Sequence, residues 1–147
     1  MITPGSRLGI DGGGSRTRFL QVDSDDRVLA RVETGPSNWL SVGRDIARDS
    51  LAQGIAQLPG FPDVVCGGFA GAGRPENARF FSDTLQTLLP HARIAILAQE
   101  DELGQILVER AQAVMHPGAD DGLMLIERMA AMVHLKFGAV IVIRCVH

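Results

Sequence analysis

At 147 residues, with 46% hydrophobic and 21% charged positions, the chain suits a single domain that removes roughly two-thirds of its unfolded surface from water, which excludes the disordered, fibrous and low-complexity classes. A formal charge of −3 supplies no basic field to hold a polyanion along its backbone, so no nucleic-acid partner is expected. The first apolar run is short and the last is broken by Arg144, so neither a signal peptide nor a membrane span is expected, and the expected location is the cytoplasm.

Arg7 to Asp11 reads as a short strand, and Arg16 to Asp23 as a second strand beyond a glycine turn. After Ser24-Asp25-Asp26, the stretch Arg27 to Thr34 sets Val28, Ala30 and Val32 in alternation with Arg27, Leu29, Arg31 and Glu33, completing an antiparallel meander. Gly35-Pro36-Ser37-Asn38 has loop chemistry. Val42, Ile46, Leu51, Ile55 and Leu58 then recur at helical spacing until Pro59-Gly60. Val64 to Ala70 reads as a buried strand that ends in Gly71-Ala72-Gly73. Pro75 opens a helix whose apolar face is Ala78, Phe81, Leu85 and Leu88. Arg93 to Ala98 is another strand, Asp101 to Val114 another amphipathic helix, and Gly122 to Ile126 a further strand. The order βββαβαβα, then β, predicts an α/β fold with a mixed sheet and helices on its faces.

Chemistry concentrates in the first turn, Asp11-Gly12-Gly13-Gly14-Ser15-Arg16. Three glycines remove every Cβ, so the backbone is free to turn with φ > 0 and to bring N–H groups close to an anion, while Ser15 adds a hydroxyl. Asp11 ends the first strand and suits a hydrated Mg²⁺, which needs one or two carboxylates when phosphates supply the remaining ligands. On these residues alone a plain hairpin turn fits equally well. A P-loop is excluded because the sole lysine, Lys136, follows no glycine-rich turn, and a Rossmann fingerprint fails because Glu76 stands where its third glycine belongs. Cys66 and Cys145 lack CxxC spacing, and His91, His116, His134 and His147 lack the spacing of metal ligands, so neither a disulfide framework nor a zinc site is expected. Trp39 is expected to serve packing.

Taken together, "GIDGGGSRTRFLQVD", "GPSNWLSVG" and "GGFAGAGRPENARFF" resemble the BadF/BadG-type ATPase and N-acetylglucosamine kinase family, a branch of the sugar kinase, actin and chaperone-ATPase superfamily. The resemblance runs from about residue 7 to residue 126 and implies a ribonuclease H-like, actin-type ATPase lobe. It assigns Asp11 to the metal, Gly12, Gly13, Gly14, Ser15 and Arg16 to the nucleotide phosphates of ATP, and Asn38, Gly71 and Gly73 to the sugar. Ser15 stands where Thr is more usual and Arg16 where Lys is common, which keeps hydroxyl and charge. "AQEDELGQI" is similar to the family's base-bearing segment and places the general base on Asp101, with the acidic first turn of a helix as the other reading of the same residues. The implied reaction is ATP- and Mg²⁺-dependent phosphorylation of a small amino sugar; the alternatives are a catalytically silent module and an ATPase that drives a reductase.

The resemblance breaks after Ile126. Where the family's second phosphate motif, Gly-Thr-Gly-Ser, is expected, the chain reads Glu127-Arg128-Met129-Ala130. The expectation is therefore an N-terminal lobe over 1–126, a divergent or frameshifted tail over 127–147, no second lobe, little activity from this chain alone, and association between copies through the exposed lobe face.

Overall fold

The computed structural model describes residues 5–97 apart from residues 26 and 73. Within them, β1 (Arg7–Gly12), β2 (Thr17–Val22) and β3 (Val28–Thr34) form the expected meander. There follow α1 (Trp39–Val42), α2 (Arg44–Ala56), β4 (Val64–Phe69), α3 (Pro75–Leu88) and β5 (Arg93–Leu97). The helix expected over Asp101–Val114, the strand over Gly122–Ile126 and the tail over 127–147 lie outside the described residues.

The strands assemble in the order β3-β2-β1-β4-β5. β1 pairs antiparallel with β2, and β2 with β3, whereas β1–β4 and β4–β5 are parallel. A three-strand meander extended by two parallel crossovers is the ribonuclease H-like arrangement, so the fold expectation holds.

Alternation along each strand sorts the sheet into two faces. Leu8, Ile10, Phe19, Val65, Phe69, Ile94 and Ile96 join Ala47, Leu51, Ile55, Ala78, Phe81 and Leu85 in one buried cluster, so α2 and α3 both lie on that face. α2 crosses β2 and β3, while α3 lies against β5. Phe69 stacks on Phe81 with centroids 4.0 Å apart, at the centre of that layer. The opposite face carries Leu20, Val22, Cys66 and Ala95, all buried.

The first helix departs from the expected single element. Gly43, at φ 88°, ends α1 and caps the start of α2. Ile46, expected on the apolar stripe, is 51% exposed, and the buried stripe is Ala47, Ser50, Leu51, Gly54 and Ile55. Leu51 and Ile55 were expected there, whereas a hydropathy pattern overlooks Ser50 and Gly54, which are small rather than apolar. α3 keeps its expected face, opening on Pro75 at its first turn.

Candidate functional site

Because β3 and β4 both run parallel to β1, the residues that follow all three strands collect at one edge of the sheet. Those residues are the hairpin 13–16, the loop 35–38 and the turn 70–72. Ligands in open α/β sheets bind beyond the carboxyl ends of strands, so topology alone brings the candidate residues together.

The hairpin is tighter than the sequence suggests. The Gly13 N–H donates to the Arg16 carbonyl at 3.0 Å, which leaves Gly14 and Ser15 as its exposed tip. The expected positive φ is absent from it: among described glycines, the left-handed backbone falls at Gly5, Gly43 and Gly71. Glycine is needed at position 12 for another reason. A Cβ there would lie 2.3 Å from Phe69 Cδ1 and 2.4 Å from Ser37 Oγ, so Gly12 admits the core ring and the next loop. A Cβ on Gly14 would meet nothing within 4 Å, so this residue faces open space. Gly13 N–H is committed to closing the hairpin, and its carbonyl accepts from Ser37 N–H at 3.2 Å and Asn38 N–H at 3.3 Å.

Asp11 is half-buried near the end of β1, with Arg18 opposite it on β2 and Gly68 beside it on β4. This cross-strand pair of opposite charges was open to inference, since Asp11 and Arg18 are equidistant from the hairpin tip. No cluster of three or more His, Cys, Asp or Glu exists among the described residues. One carboxylate at a strand end suits a hydrated Mg²⁺ shared with phosphates and does not suit a cage built wholly of protein. Arg16 leans toward Glu33 with 3.8 Å between charged atoms, and both side chains are more than half exposed, so that contact contributes little and leaves Arg16 able to swing to an anion.

Asn38 stands at the cap of α1 yet makes no side-chain cap bond. Its Oδ1 is buried and meets no hydrogen-bond partner among the described residues. The same oxygen lies 3.6 Å from the point a Gly71 Cβ would occupy, so Asn38 and Gly71 adjoin. Gly71 needs glycine on two counts, a φ of +83° and a Cβ that would come within 2.9 Å of Leu40. Asn77, at the start of α3, donates to the Gly71 carbonyl at 2.6 Å and fixes that turn. Gly73 and Asp101 lie outside the described residues.

Trp39 packs as expected, its ring 5.4 Å from that of Phe80, with the Arg44 guanidinium 4.7 Å above it. The sequence reading missed Thr17, Ser37 and Asn77, each of which holds a site loop by a side-chain hydrogen bond. Their only signal was a polar residue beside a glycine-bearing turn, which many surface turns share.

No protein-family model matches the chain. Over 48 residues it is 46% identical to an N-acetyl-D-glucosamine kinase of Dictyostelium discoideum, a match covering 33% of this chain and 15% of that protein. Over 88 residues it is 32% identical to an N-acetylmuramic acid/N-acetylglucosamine kinase of Clostridium acetobutylicum, covering 55% of this chain and 29% of that protein. In sequence this chain is similar to N-acetylglucosamine kinases. The similarity spans less than a third of either relative's length. Among solved structures, the putative N-acetylglucosamine kinase of Porphyromonas gingivalis aligns with a TM-score of 0.40 and 22% identity over 65% of this chain and 33% of that one. The T. thermophilus RuvC in complex with a Holliday junction aligns with a TM-score of 0.42 and 14% identity over 90% and 96%. The fold assignment stands on the strand order and pairing described above. No helix among the described residues is long and apolar enough to cross a membrane.

Proposed function

We propose that this chain carries the phosphate-binding and sugar-facing half of an ATP-dependent amino-sugar kinase. The observation that supports this most is the double acceptance at the Gly13 carbonyl: one oxygen of the hairpin holds both Ser37 and Asn38, so the loop offered to a sugar is built onto the loop offered to phosphates.

In this reading the bare tip at Gly14 and Ser15 would receive the phosphates, Arg16 would swing from Glu33 to add charge, and Asp11 would hold Mg²⁺. Bound ATP supplies the transferable phosphoryl group, and the metal offsets the charge on its oxygens. The buried Asn38 Oδ1 accepts a hydrogen bond from a sugar hydroxyl, which satisfies an oxygen otherwise costly to bury. Asp101, assigned by resemblance, takes the proton of the attacking hydroxyl. The similarity to sugar kinases and the presence of Asn38 favour this reading over an ATPase that drives a reductase, which has no use for a sugar-facing amide.

Binding is the direct test. Titration calorimetry with MgATP and with N-acetylglucosamine is expected to show both ligands binding, with Asn38→Ala weakening the sugar by about tenfold or more and ATP hardly at all. Absence of nucleotide binding would overturn the reading in favour of a silent module.

A further inference from the structure

The loop that presents Asn38 is held at each of its three preceding residues by a different element. The Gly35 carbonyl accepts from Thr17 Oγ1 at 2.8 Å, the Pro36 carbonyl accepts from Ser50 Oγ at 2.7 Å, and Ser37 N–H donates to the Gly13 carbonyl. Thr17 Oγ1 and Ser37 Oγ are themselves 2.8 Å apart. A hydroxyl has one proton, so with Thr17 donating to Gly35 it is Ser37 that donates across this pair. Both side chains are fully buried, so no water stands ready to replace either bond. The Ser37 hydroxyl sits in the space that a side chain at Gly12 would fill, so the glycine motif itself makes the seat for the loop.

We propose that the Thr17–Ser37 hydroxyl pair, seated over Gly12, is the joint that fixes Asn38 relative to the phosphate hairpin. Thr17 and Ser37 are thus positioning residues: they touch neither ligand and set where the sugar-side amide stands. Transfer between two bound reactants depends on reacting atoms held about 3–3.5 Å apart, and a displacement of roughly 1 Å costs on the order of a hundredfold. Thr17 opens β2 directly opposite Gly12, so the joint spans from the hairpin's base to the cap of α1. The role in positioning a sugar rests on the kinase reading above, whereas the joint is a property of the fold and is testable without it.

The test is amide hydrogen exchange by NMR on the full chain, in wild type, Thr17→Val, Thr17→Ser and Ser37→Ala. Thr17→Val keeps the side chain's shape and removes its hydroxyl. It is expected to speed exchange at Ser37 and Asn38 by about tenfold or more, with amides of β4 and α3 within about twofold of wild type. Thr17→Ser should restore protection, and Ser37→Ala should repeat the local loss at Asn38 should the valine variant fail to fold. Exchange that speeds evenly over the sheet, or stays unchanged in both hydroxyl deletions, overturns the joint. A parallel titration should show Thr17→Val weakening N-acetylglucosamine about tenfold and MgATP less than about twofold. If wild type binds no sugar, the kinase reading fails while the exchange pattern still decides the joint.

Discussion

Gly12 and Gly14 stand two residues apart and lack side chains for opposite reasons. A methyl at position 12 collides with Phe69 and with Ser37 Oγ, whereas one at position 14 meets nothing within 4 Å and needs no left-handed backbone. Gly12→Ala should therefore cost about 1–3 kcal/mol in urea denaturation, the range for overpacking, while Gly14→Ala should shift stability by less than about 0.5 kcal/mol yet weaken MgATP measurably. Equal losses of stability from the two would show that the hairpin tip is packed rather than open. A second residue-scale test uses Cys66, which is 4% exposed and whose thiol is pushed by burial from 9.0 up to about 12. The unfolded chain ionises this thiol near pH 8.5, so its contribution to stability is whole below that pH and is lost as pH rises toward 12. With no tyrosine and one lysine, little else in the chain titrates in that window. In a Cys145→Ser background, raising the pH from 8 to 10.5 should remove about 2 kcal/mol more from the parent than from Cys66→Ala. Equal losses would mean that the thiol is reachable by solvent.

At the scale of elements, α2 meets the sheet through a glycine. A Cβ on Gly54 would lie 2.2 Å from the Phe19 ring, so β2 and α2 approach more closely than any larger residue permits. Alanine is the better helix former by about 1 kcal/mol, which would make Gly54→Ala stabilising in an exposed helix. Here the ring cannot withdraw, because Phe19 is 2% exposed within the core, and overpacking of about 1–3 kcal/mol should win. A lowered urea midpoint is expected, and a raised one would contradict the packing described. This contact also explains which parts of the fold were legible. The meander, both crossovers and the apolar face of α3 follow from alternation, turn residues and helical spacing, and each was found. The buried stripe of α2 was found only at Leu51 and Ile55, since Ser50 and Gly54 face the sheet through size and hydrogen bonding rather than hydropathy. The break at Gly43 was equally hidden, because a single glycine between helical residues does not announce a left-handed turn.

Across the whole molecule, the candidate site is a product of topology more than of any single motif. The hairpin, the Asn38 loop and the Gly71 turn were each visible as short strings, and resemblance assigned them roles. Their contacts were not visible, because Asn38 meets Gly13 only when β3 runs parallel to β1, and meets Gly71 only when β4 lies on β1's other side. The roles of Thr17 and Ser37 were invisible for the same reason, since a buried hydroxyl pair twenty residues apart in sequence leaves no local pattern. The central claim is that these loops are two halves of one site, one for phosphates and one for a sugar. Its most direct test is mapping of backbone amide shifts in the full chain during separate titrations with MgATP and N-acetylglucosamine. The expected result is that MgATP moves Gly14, Ser15 and Arg16, that the sugar moves Asn38 and Gly71, and that either ligand also shifts Gly13, where the two loops join. Shifts that are absent, or that fall away from these loops, would contradict the account.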